Sequence, residues 1–205
     1  TKRIAIVGAG VAGISIVKFF VNDDKFNENL SLDIYDAPET LGRGYAYQQD
    51  DEHLIINLPA EEMSMTDDPA DFTKWLENSG HKVESFTSRR VFGEYMHSAL
   101  MSYTAEHSNI NLIKSYAENI IFNEDKKTYT LRAGENEQEY DAVFLMTGEL
   151  SYSDPYELKG HSNYLYNPYP IEDNLTKLNG RIGVIGSGLS AIDSFRYLLL
   201  NGHEE

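Results

Sequence analysis

Apolar and polar positions in the first part of the chain follow a strand-like, then a helix-like, then again a strand-like pattern. Residues 3–7 are mostly apolar, which is typical of a buried strand. Residues 14–21 are apolar on most faces, as in a helix covered by a sheet and its neighbours, and the polar residues 22–24 end that helix. Residues 30–35 predict a second strand. The chain therefore begins with a predicted strand, helix and strand.

A glycine turn joins the first predicted strand to the helix. Gly8, Gly10 and Gly13 are spaced as G-x-G-x-x-G, in which the first glycine permits a tight bend, the second lets the backbone approach a pyrophosphate, and the third lets helix and strand pack closely. Free N–H groups at the helix start face the anion. Asp36 ends the second strand, where a carboxylate accepts from a ribose hydroxyl and repels a 2′-phosphate, which favours FAD or NAD over NADP. The alternative is a glycine turn in an ordinary βα unit.

The same pattern returns near the other end of the sequence. Residues 181–191 repeat the strand, the glycine turn and the helix start, with Gly186 and Gly188 in the turn. Two such beginnings predict two nucleotides. The second unit has one strand and one helix, residues 189–200, although a nucleotide-binding half needs several parallel strands to bury its sheet. We therefore expect the sequence to be truncated within this second unit.

Two segments between the glycine turns are candidates for cofactor contacts. Residues 37–47 form a glycine-rich loop that contains Arg43 and Gly44. This loop either lies along a cofactor or is simple turn chemistry with a solvated arginine. A helix predicted over residues 88–101 begins with Arg89, and a cation there opposes the helix dipole unless an anion lies beside it. The alternative for Arg89 is an exposed charge balanced by the surplus of acids.

Further along the chain the patterns are mostly those of strands. A short strand is predicted at residues 53–58 and a short helix at residues 71–76. Residues 110–140 predict a return strand for the parallel sheet, followed by a small antiparallel meander. The apolar run at residues 141–148 suits a central strand that is buried on both faces. Residues 149–179 have no usable period and predict a connector.

The composition is that of a globular protein and excludes several classes. The chain has 205 residues, 41% of them hydrophobic, which is enough to bury a core. Its 33 Asp and Glu against 17 Lys and Arg give a formal charge of −16, which opposes nucleic-acid binding. The absence of cysteine excludes disulfides, Cys-ligated metals and dithiol chemistry. No apolar run is long enough for a membrane span, so the expected location is cytoplasmic.

Taken in sequence order, these motifs resemble those of the FAD/NAD(P)-binding family of two-dinucleotide flavoproteins, related to the flavin monooxygenases and reductases. The resemblance covers essentially the whole chain. One departure is Asp36, since members of this kind usually carry Glu at that position. The motifs that carry the resemblance are residues 7–13, 34–36, 41–47, 56–58 with 63–64, Arg89 with 92–95, 144–148 and the second glycine turn.

The resemblance implies a fold and a role for each matching residue. It implies an α/β fold: a Rossmann-like FAD-binding domain with a parallel sheet and a small antiparallel β-meander over residues 1–150, a connector over 151–180, and the first β-α of an NAD(P)-binding Rossmann unit over 181–205. By this resemblance, the FAD pyrophosphate would be bound by Gly8, Gly10 and Gly13, its phosphates also by Arg89, the adenosine ribose by Asp36, and the adenine by the backbone near Ala117. Asn57, Met63 and Ser64 would lie near the flavin, Thr147 and Gly148 near the dinucleotide, and Arg43 and Gly44 along the cofactor. The NAD(P)H site would begin at Gly186 and Gly188.

The function implied by the resemblance is an FAD-dependent, NAD(P)H-using oxidoreductase, monooxygenase-like, in which hydride passes from nicotinamide to flavin. Its partners would be FAD, a nicotinamide nucleotide and an unknown small-molecule substrate. Two other readings stay open. The chain is a module that holds FAD or an adenine nucleotide without turnover of its own, or it is an NAD dehydrogenase that uses the first site alone.

Overall fold

A parallel sheet, covered by helices on one face and by a small antiparallel sheet on the other, forms the main body of the protein. The computed structural model describes residues 1–203, the side chains of residues 27 and 28 excepted. The strands are β1 (Lys2–Val7), β2 (Leu30–Asp36), β3 (Ile110–Lys114), β4 (Asn119–Asn123), β5 (Thr128–Ala133), β6 (Asn136–Tyr140) and β7 (Ala142–Leu145). The helices are α1 (Val11–Val21), α2 (Phe26–Asn29), α3 (Asp71–Asn78), α4 (Arg89–Glu106), α5 (Ile171–Leu175) and α6 (Leu189–Leu200), with a 3-10 turn at Ala60–Glu62.

The strand order of the parallel sheet is β3-β2-β1-β7. The chain adds β2 and β3 on one side of β1 and then β7 on the other, so the strand order reverses between β1 and β7. The second sheet has the antiparallel order β4-β5-β6. In open α/β sheets, ligands bind at the carboxyl ends of the strands where the winding reverses. The fold confirms the predicted α/β class with a parallel sheet and a small meander, and it directs attention to the ends of β1 and β7.

The two faces of the parallel sheet follow the strict alternation of side chains along a strand. On β1, Ile4 and Ile6 join the core beneath α1 and α4, whereas Ala5 and Val7 face the meander. The meander side is completed by Leu131 and other small or aromatic side chains. Both faces of β1 are thus buried, which explains its nearly continuous apolar sequence.

A buried carboxylate on β2 joins the parallel sheet to the meander. Asp33 is 2% exposed. It accepts from the Arg3 guanidinium at 2.6 Å, from the Tyr140 hydroxyl at 2.7 Å and from the Asn111 amide at 2.8 Å. The Tyr35 hydroxyl lies 2.7 Å from that of Tyr140 and continues the network. Because each of these donors reaches Asp33, the charge is compensated where water is excluded.

Two predicted strands differ from the structure because a strand requires a partner. Residues 53–58 form one bridge only, between Ile55 and Ser88. Their partner segment becomes helical at Arg89, so the pairing cannot extend. Residues 181–187 pair with no strand among residues 1–203, although the helix that follows them, α6, is present. Of the predicted unit over 181–205, residues 204 and 205 lie outside the described residues.

The connector contains a short helix, α5, that the sequence pattern did not indicate. Its start is held by a residue of the first unit, since the Asp50 carboxylate accepts from the N–H groups of Ile171 at 2.8 Å and Glu172 at 3.0 Å. Ile171 and Leu175 then pack with α6 in a small separate core that includes Leu54. A capping residue so distant in sequence explains why α5 was missed.

Residues 1–203 also give two negative findings. No helix in this range has both the length and the hydropathy that a bilayer span requires. Within the same range, no three or more His, Cys, Asp or Glu side chains come together as a metal site would need.

We expect Asp33→Ala to lower the free energy of unfolding by about 2 kcal/mol, because it leaves the Arg3, Asn111 and Tyr140 donors without their acceptor. This value is at the low end for a buried ion pair, since the Arg3 side chain is 39% exposed. Urea-induced unfolding measures the change. The matched control is Glu139→Gln, which removes an exposed 2.8 Å ion pair with Lys126 and should leave the midpoint unchanged. Equal midpoints for both variants would contradict the assignment of Asp33.

Candidate nucleotide-binding site

The first glycine turn is built from close approaches between bare backbones. Gly8 has φ +98°, and a Cβ placed on it would lie 2.1 Å from the Met146 carbonyl oxygen. A Cβ on Gly13 would lie 2.0 Å from the Gly8 carbonyl oxygen. Neither distance is possible for a real side chain, so both positions require glycine. The turn therefore fixes α1 against β1 and brings the end of β7 beside Gly8.

The second glycine of this turn faces the glycine-rich loop at residues 37–47. Gly10 is the N-cap of α1, and a Cβ on it would lie 3.2 Å from the Gly44 Cα. Gly44 itself has φ +66°. Val11 and Ala12, in the first turn of α1, are exposed, and this turn carries no acid. A bare backbone beside an accessible helix start is the arrangement that a pyrophosphate requires.

Arg43 supplies a second observation that fits an anion. Its Nη1 atom is buried and has no hydrogen-bond partner among the described residues. A buried guanidinium nitrogen without an acceptor is costly, and a phosphate oxygen would satisfy it. Arg43 precedes Gly44 directly, so the unsatisfied donor lies on the loop that covers the first glycine turn. The residues present therefore fit a dinucleotide phosphate.

The Asp36 carboxylate organises the same region. It accepts from the N–H groups of Ala37 at 3.1 Å and Gly42 at 3.0 Å. Burial raises the pKa of this carboxyl, while hydrogen bonds from Gly42, Ala37 and the Ala9 N–H oppose the rise. Asp36 thus joins the end of β2, the glycine-rich loop and the first turn. Its carboxylate oxygens retain acceptor capacity for a ribose hydroxyl.

The second glycine turn has the backbone conformation of the first. Gly186 has φ +120°, in the same region as Gly8. Gly188 caps α6 with φ −77° and ψ −175°, and Gly10 caps α1 with φ −74° and ψ −164°. The third position differs, because Ala191 stands where the first turn has Gly13. The predicted repeat is therefore a repeat of backbone geometry as well as of sequence.

A cavity of about 360 Å³ is lined by loops of the first unit, by the connector and by the start of α6. Three of its lining residues, Tyr45, Glu149 and Leu189, directly follow the glycines 44, 148 and 188. The other lining residues are Ala46, Tyr47, Gln48, Asp50, Asp51, Leu54, Ile56, Asn57, Arg89, Arg90, Tyr152, Tyr169, Pro170 and Ser190. This volume, with four tyrosines in the lining, is enough for a small-molecule site.

Three phenols of the cavity, those of Tyr47, Tyr152 and Tyr169, are protonated at neutral pH. Burial raises the pKa of Tyr152 to about 12 and also raises the pKa values of Tyr47 and Tyr169. Among the acids of the lining, Asp50 is engaged by the start of α5. The cavity therefore offers these neutral phenols to a ligand, beside the charged side chains of Asp51, Arg90 and Glu149.

Arg89 lies at the cavity but is engaged by the protein. Its Nη1 atom is 2.8 Å from Asp193 Oδ2, and its Nε donates to the Ile55 carbonyl at 3.0 Å. Burial lowers the pKa of Arg89, but Tyr169 and Asp193 outweigh this effect and the pKa is raised. The anion beside Arg89 that the sequence suggested is thus, in this structure, a carboxylate of α6.

The residues expected near the flavin separate into two groups. Asn57 lines the cavity. Met63 packs against the main core, and the Ser64 hydroxyl donates to the Asp68 carbonyl at 2.6 Å. The Tyr95 hydroxyl accepts from the Met65 N–H at 2.8 Å and so anchors this loop. Met63 and Ser64 are therefore held beside the core, apart from the cavity wall.

The remaining predicted residues, Thr147, Gly148 and Ala117, lie in two different places: two follow β7 and one lies between β3 and β4. Thr147 and Gly148 are exposed just beyond β7, and the Met146 N–H before them donates to the Val7 carbonyl at 2.8 Å. This bond places the pair beside the first glycine turn. Ala117 precedes β4 and packs in the core between the parallel sheet and the meander.

Sequence reasoning gave Asp193 no role in the site, and it did not single out Tyr45 and Tyr169 within the glycine-rich loop and the connector. Tyr45 and Tyr169 belong to segments without periodicity, so no pattern signals their contact with the cavity. Asp193 had a signal, because it lies one helical turn before Tyr197, a buried residue of α6. An acid among buried positions indicates a partner cation.

Several solved structures share this fold. Cyclohexanone monooxygenase from Rhodococcus sp. Phi1 bound to NADP+ is 14% identical with a TM-score of 0.54, covering 75% of this chain and 28% of that one. The OTEMO complex with FAD and NADP is 16% identical with a TM-score of 0.54, covering 80% and 29%. Tmm from Pelagibacter sp. is 19% identical with a TM-score of 0.51, covering 72% and 36%. This chain thus spans about a third of the length of these proteins.

The sequence comparisons give the family. No curated protein matches the chain in sequence. A protein-family model described as FAD-NAD(P)-binding matches residues 5–150, which include the first glycine turn, Asp36 and the end of β7. This match confirms the resemblance and the cofactor class that the sequence predicted. Because the match extends over well more than half of the sequence, the chain belongs to the FAD-NAD(P)-binding family.

Proposed function

We propose that the protein is an FAD-dependent oxidoreductase, monooxygenase-like, that takes its electrons from NADH or NADPH and acts on a small molecule. One observation carries the proposal: the cavity is lined by the residues that directly follow glycines of the two nucleotide-binding regions, Tyr45 and Glu149 in the first and Leu189 in the second. A flavin and a nicotinamide that exchange hydride must meet in one place. A shared cavity supplies such a place.

The first unit has the groups that would hold FAD. The N–H groups at the start of α1 and the Arg43 guanidinium would bind the pyrophosphate, with Gly8, Gly10 and Gly44 giving close access. Asp36 would accept from the adenosine ribose, and the backbone near Ala117 would contact the adenine.

The cavity and the second unit would hold the reacting rings. When bound, FAD supplies the acceptor for a hydride and the nicotinamide supplies that hydride. Asn57 and the cavity tyrosines Tyr45, Tyr47 and Tyr152 would orient the rings and exclude water. Gly186 and Gly188 would bind the phosphates of the nicotinamide nucleotide, and Thr147 and Gly148 would line the first cofactor. We propose the cytoplasm as the location of the protein.

A module that holds FAD without turnover is the second candidate. Residues 181–187 have no strand partner within residues 1–203, and Ile185 in that segment is 74% exposed. A nucleotide-binding half completes its site with several parallel strands. On this reading the chain binds FAD through the first turn, and further strands are needed for the nicotinamide nucleotide.

We expect the purified chain to show flavin bands in its visible spectrum after incubation with FAD. Gly13→Ala should abolish these bands, because its Cβ would displace Gly8 and the start of α1. Gly183→Ala is the matched control, since a Cβ there meets nothing within 4 Å. Far-ultraviolet circular dichroism shows whether each variant is folded. An unmodified chain that binds nicotinamide nucleotide and no flavin would instead support a single-cofactor dehydrogenase.

Arg43→Met should weaken FAD binding by about 10- to 100-fold, which corresponds to one charge-assisted hydrogen bond to phosphate. Fluorescence titration of FAD measures the dissociation constant. Arg181→Met is the control, because Arg181 is an exposed arginine outside the first unit. Unchanged affinity in the Arg43 variant would remove Arg43 from the site and leave its buried nitrogen unexplained.

In the absence of oxygen, addition of NADH or NADPH to the FAD-loaded chain should bleach the visible absorbance band of oxidised flavin. Bleaching supports the oxidoreductase. Retained FAD that neither nucleotide bleaches supports the module. The nucleotide that bleaches at the lower concentration identifies the preferred donor.

A further inference from the structure

A buried ion pair joins the helix of the second glycine turn to the first unit. Arg89 is the first residue of α4, and Asp193 lies one turn into α6. Their side chains are 2.8 Å apart and are 19% and 7% exposed, respectively. Such a pair loses much when one partner is removed, because the other charge stays buried and uncompensated.

Neighbouring groups fix the geometry of this pair. The Arg89 guanidinium also donates to the Ile55 carbonyl at 3.0 Å, and the Arg89 N–H donates to the Leu54 carbonyl at 2.7 Å. On the other side, the Tyr169 hydroxyl donates to Asp193 at 2.8 Å. Tyr169 stands next to the start of α5, which Asp50 caps. Both members of the pair are therefore oriented by the first unit and the connector.

The other contacts of α6 are few and lie on one side. Tyr197 and Leu198 pack in the small core with Leu54 and α5, and the Tyr197 hydroxyl is 2.6 Å from that of Thr176. The opposite side of the helix is exposed at Leu189, Ile192, Phe195 and Leu199. No ladder holds residues 181–187 within the described range. The orientation of the second glycine turn thus depends on this one-sided contact.

We propose that Arg89, Asp193 and Tyr169 form a latch that holds the start of α6 at the cavity and so positions the nicotinamide nucleotide against the flavin. The expected effect on the kinetics of the nicotinamide nucleotide rests on the proposed function. The expected effect on the orientation of α6 rests on the geometry alone. Asp193 and Tyr169 are positioning residues: they act through the placement of Gly186, Gly188 and Leu189. Without the latch, α6 samples orientations in which the second turn does not face the cavity.

The structural consequence is measurable without a cofactor. Hydrogen–deuterium exchange of the chain should show α6 amides exchanging at least about 10-fold faster in Asp193→Asn, with Tyr169→Phe giving a smaller increase. The amides of β1 and α1 should be unaffected. Glu139→Gln, which removes an exposed ion pair of equal length on the meander, should change nothing in α6. Unchanged α6 exchange in Asp193→Asn, or an increase of equal size throughout the chain, would overturn the latch.

The kinetic consequence separates positioning from a merely structural role. If only a fraction of molecules has the second turn in place, the apparent affinity for the nicotinamide nucleotide falls by that fraction, while saturating ligand restores the closed arrangement. We therefore expect Asp193→Asn to raise the KM for the nucleotide by about 10-fold and to change kcat by less than about 2-fold. Asp193→Glu, which keeps the charge, should recover part of the KM.

Failure of the proposed oxidoreductase activity and failure of the latch can be told apart. Flavin bands without reduction by either nucleotide would end the proposed oxidoreductase activity, and exchange in α6 would still decide the latch. Reduction by a nucleotide with a kcat that falls while KM stays constant would overturn the role of Asp193 in placing the nucleotide.

Discussion

Contacts between bare backbones at the end of β1 determine how this fold builds its site. The missing Cβ atoms of Gly8 and Gly13 let the β7 end, the glycine turn and α1 come together, and Gly10 faces Gly44 of the loop that follows β2. Any larger residue at Gly8 or Gly13 would overlap a carbonyl oxygen. The place where the winding of the sheet reverses is therefore shaped by steric necessity, and the accessible N–H groups of α1 follow from it.

Two carboxylates on β2 have different roles because of their positions on the strand: one stabilises the fold, and the other holds the loops of the candidate site. Asp33 points to the meander, where side chains from three strands satisfy it away from water. Asp36 lies at the carboxyl end and is held by backbone N–H groups of the loop and the turn. Side-chain partners make Asp33 a link between two sheets. Backbone partners make Asp36 an organiser of loops, with oxygens still able to accept from a ligand.

Local sequence determines what could be predicted here. The β1-α1-β2 unit, the meander and α4 follow from periodicity and turn residues over a few positions. Features that depend on distant partners could not be predicted: residues 53–58 lack a partner that stays extended, α5 requires Asp50 as a cap, and Arg89 meets Asp193 rather than solvent. For the site, the sequence indicated the glycines and Asp36, whereas the cavity needs loops whose packing no period encodes.

The two glycine turns show, within one molecule, which features depend on local sequence and which depend on distant partners. Their backbone angles agree closely, although the first is surrounded by β7 and the glycine-rich loop and a Cβ at Gly186 or Gly188 would meet nothing within 4 Å. The turn is therefore a property of its own sequence, while its orientation is imposed from outside. For the first turn the sheet imposes it. For the second, Ala191 replaces the glycine that brings helix and strand together, and the groups that reach α6 from the first unit must supply the orientation instead.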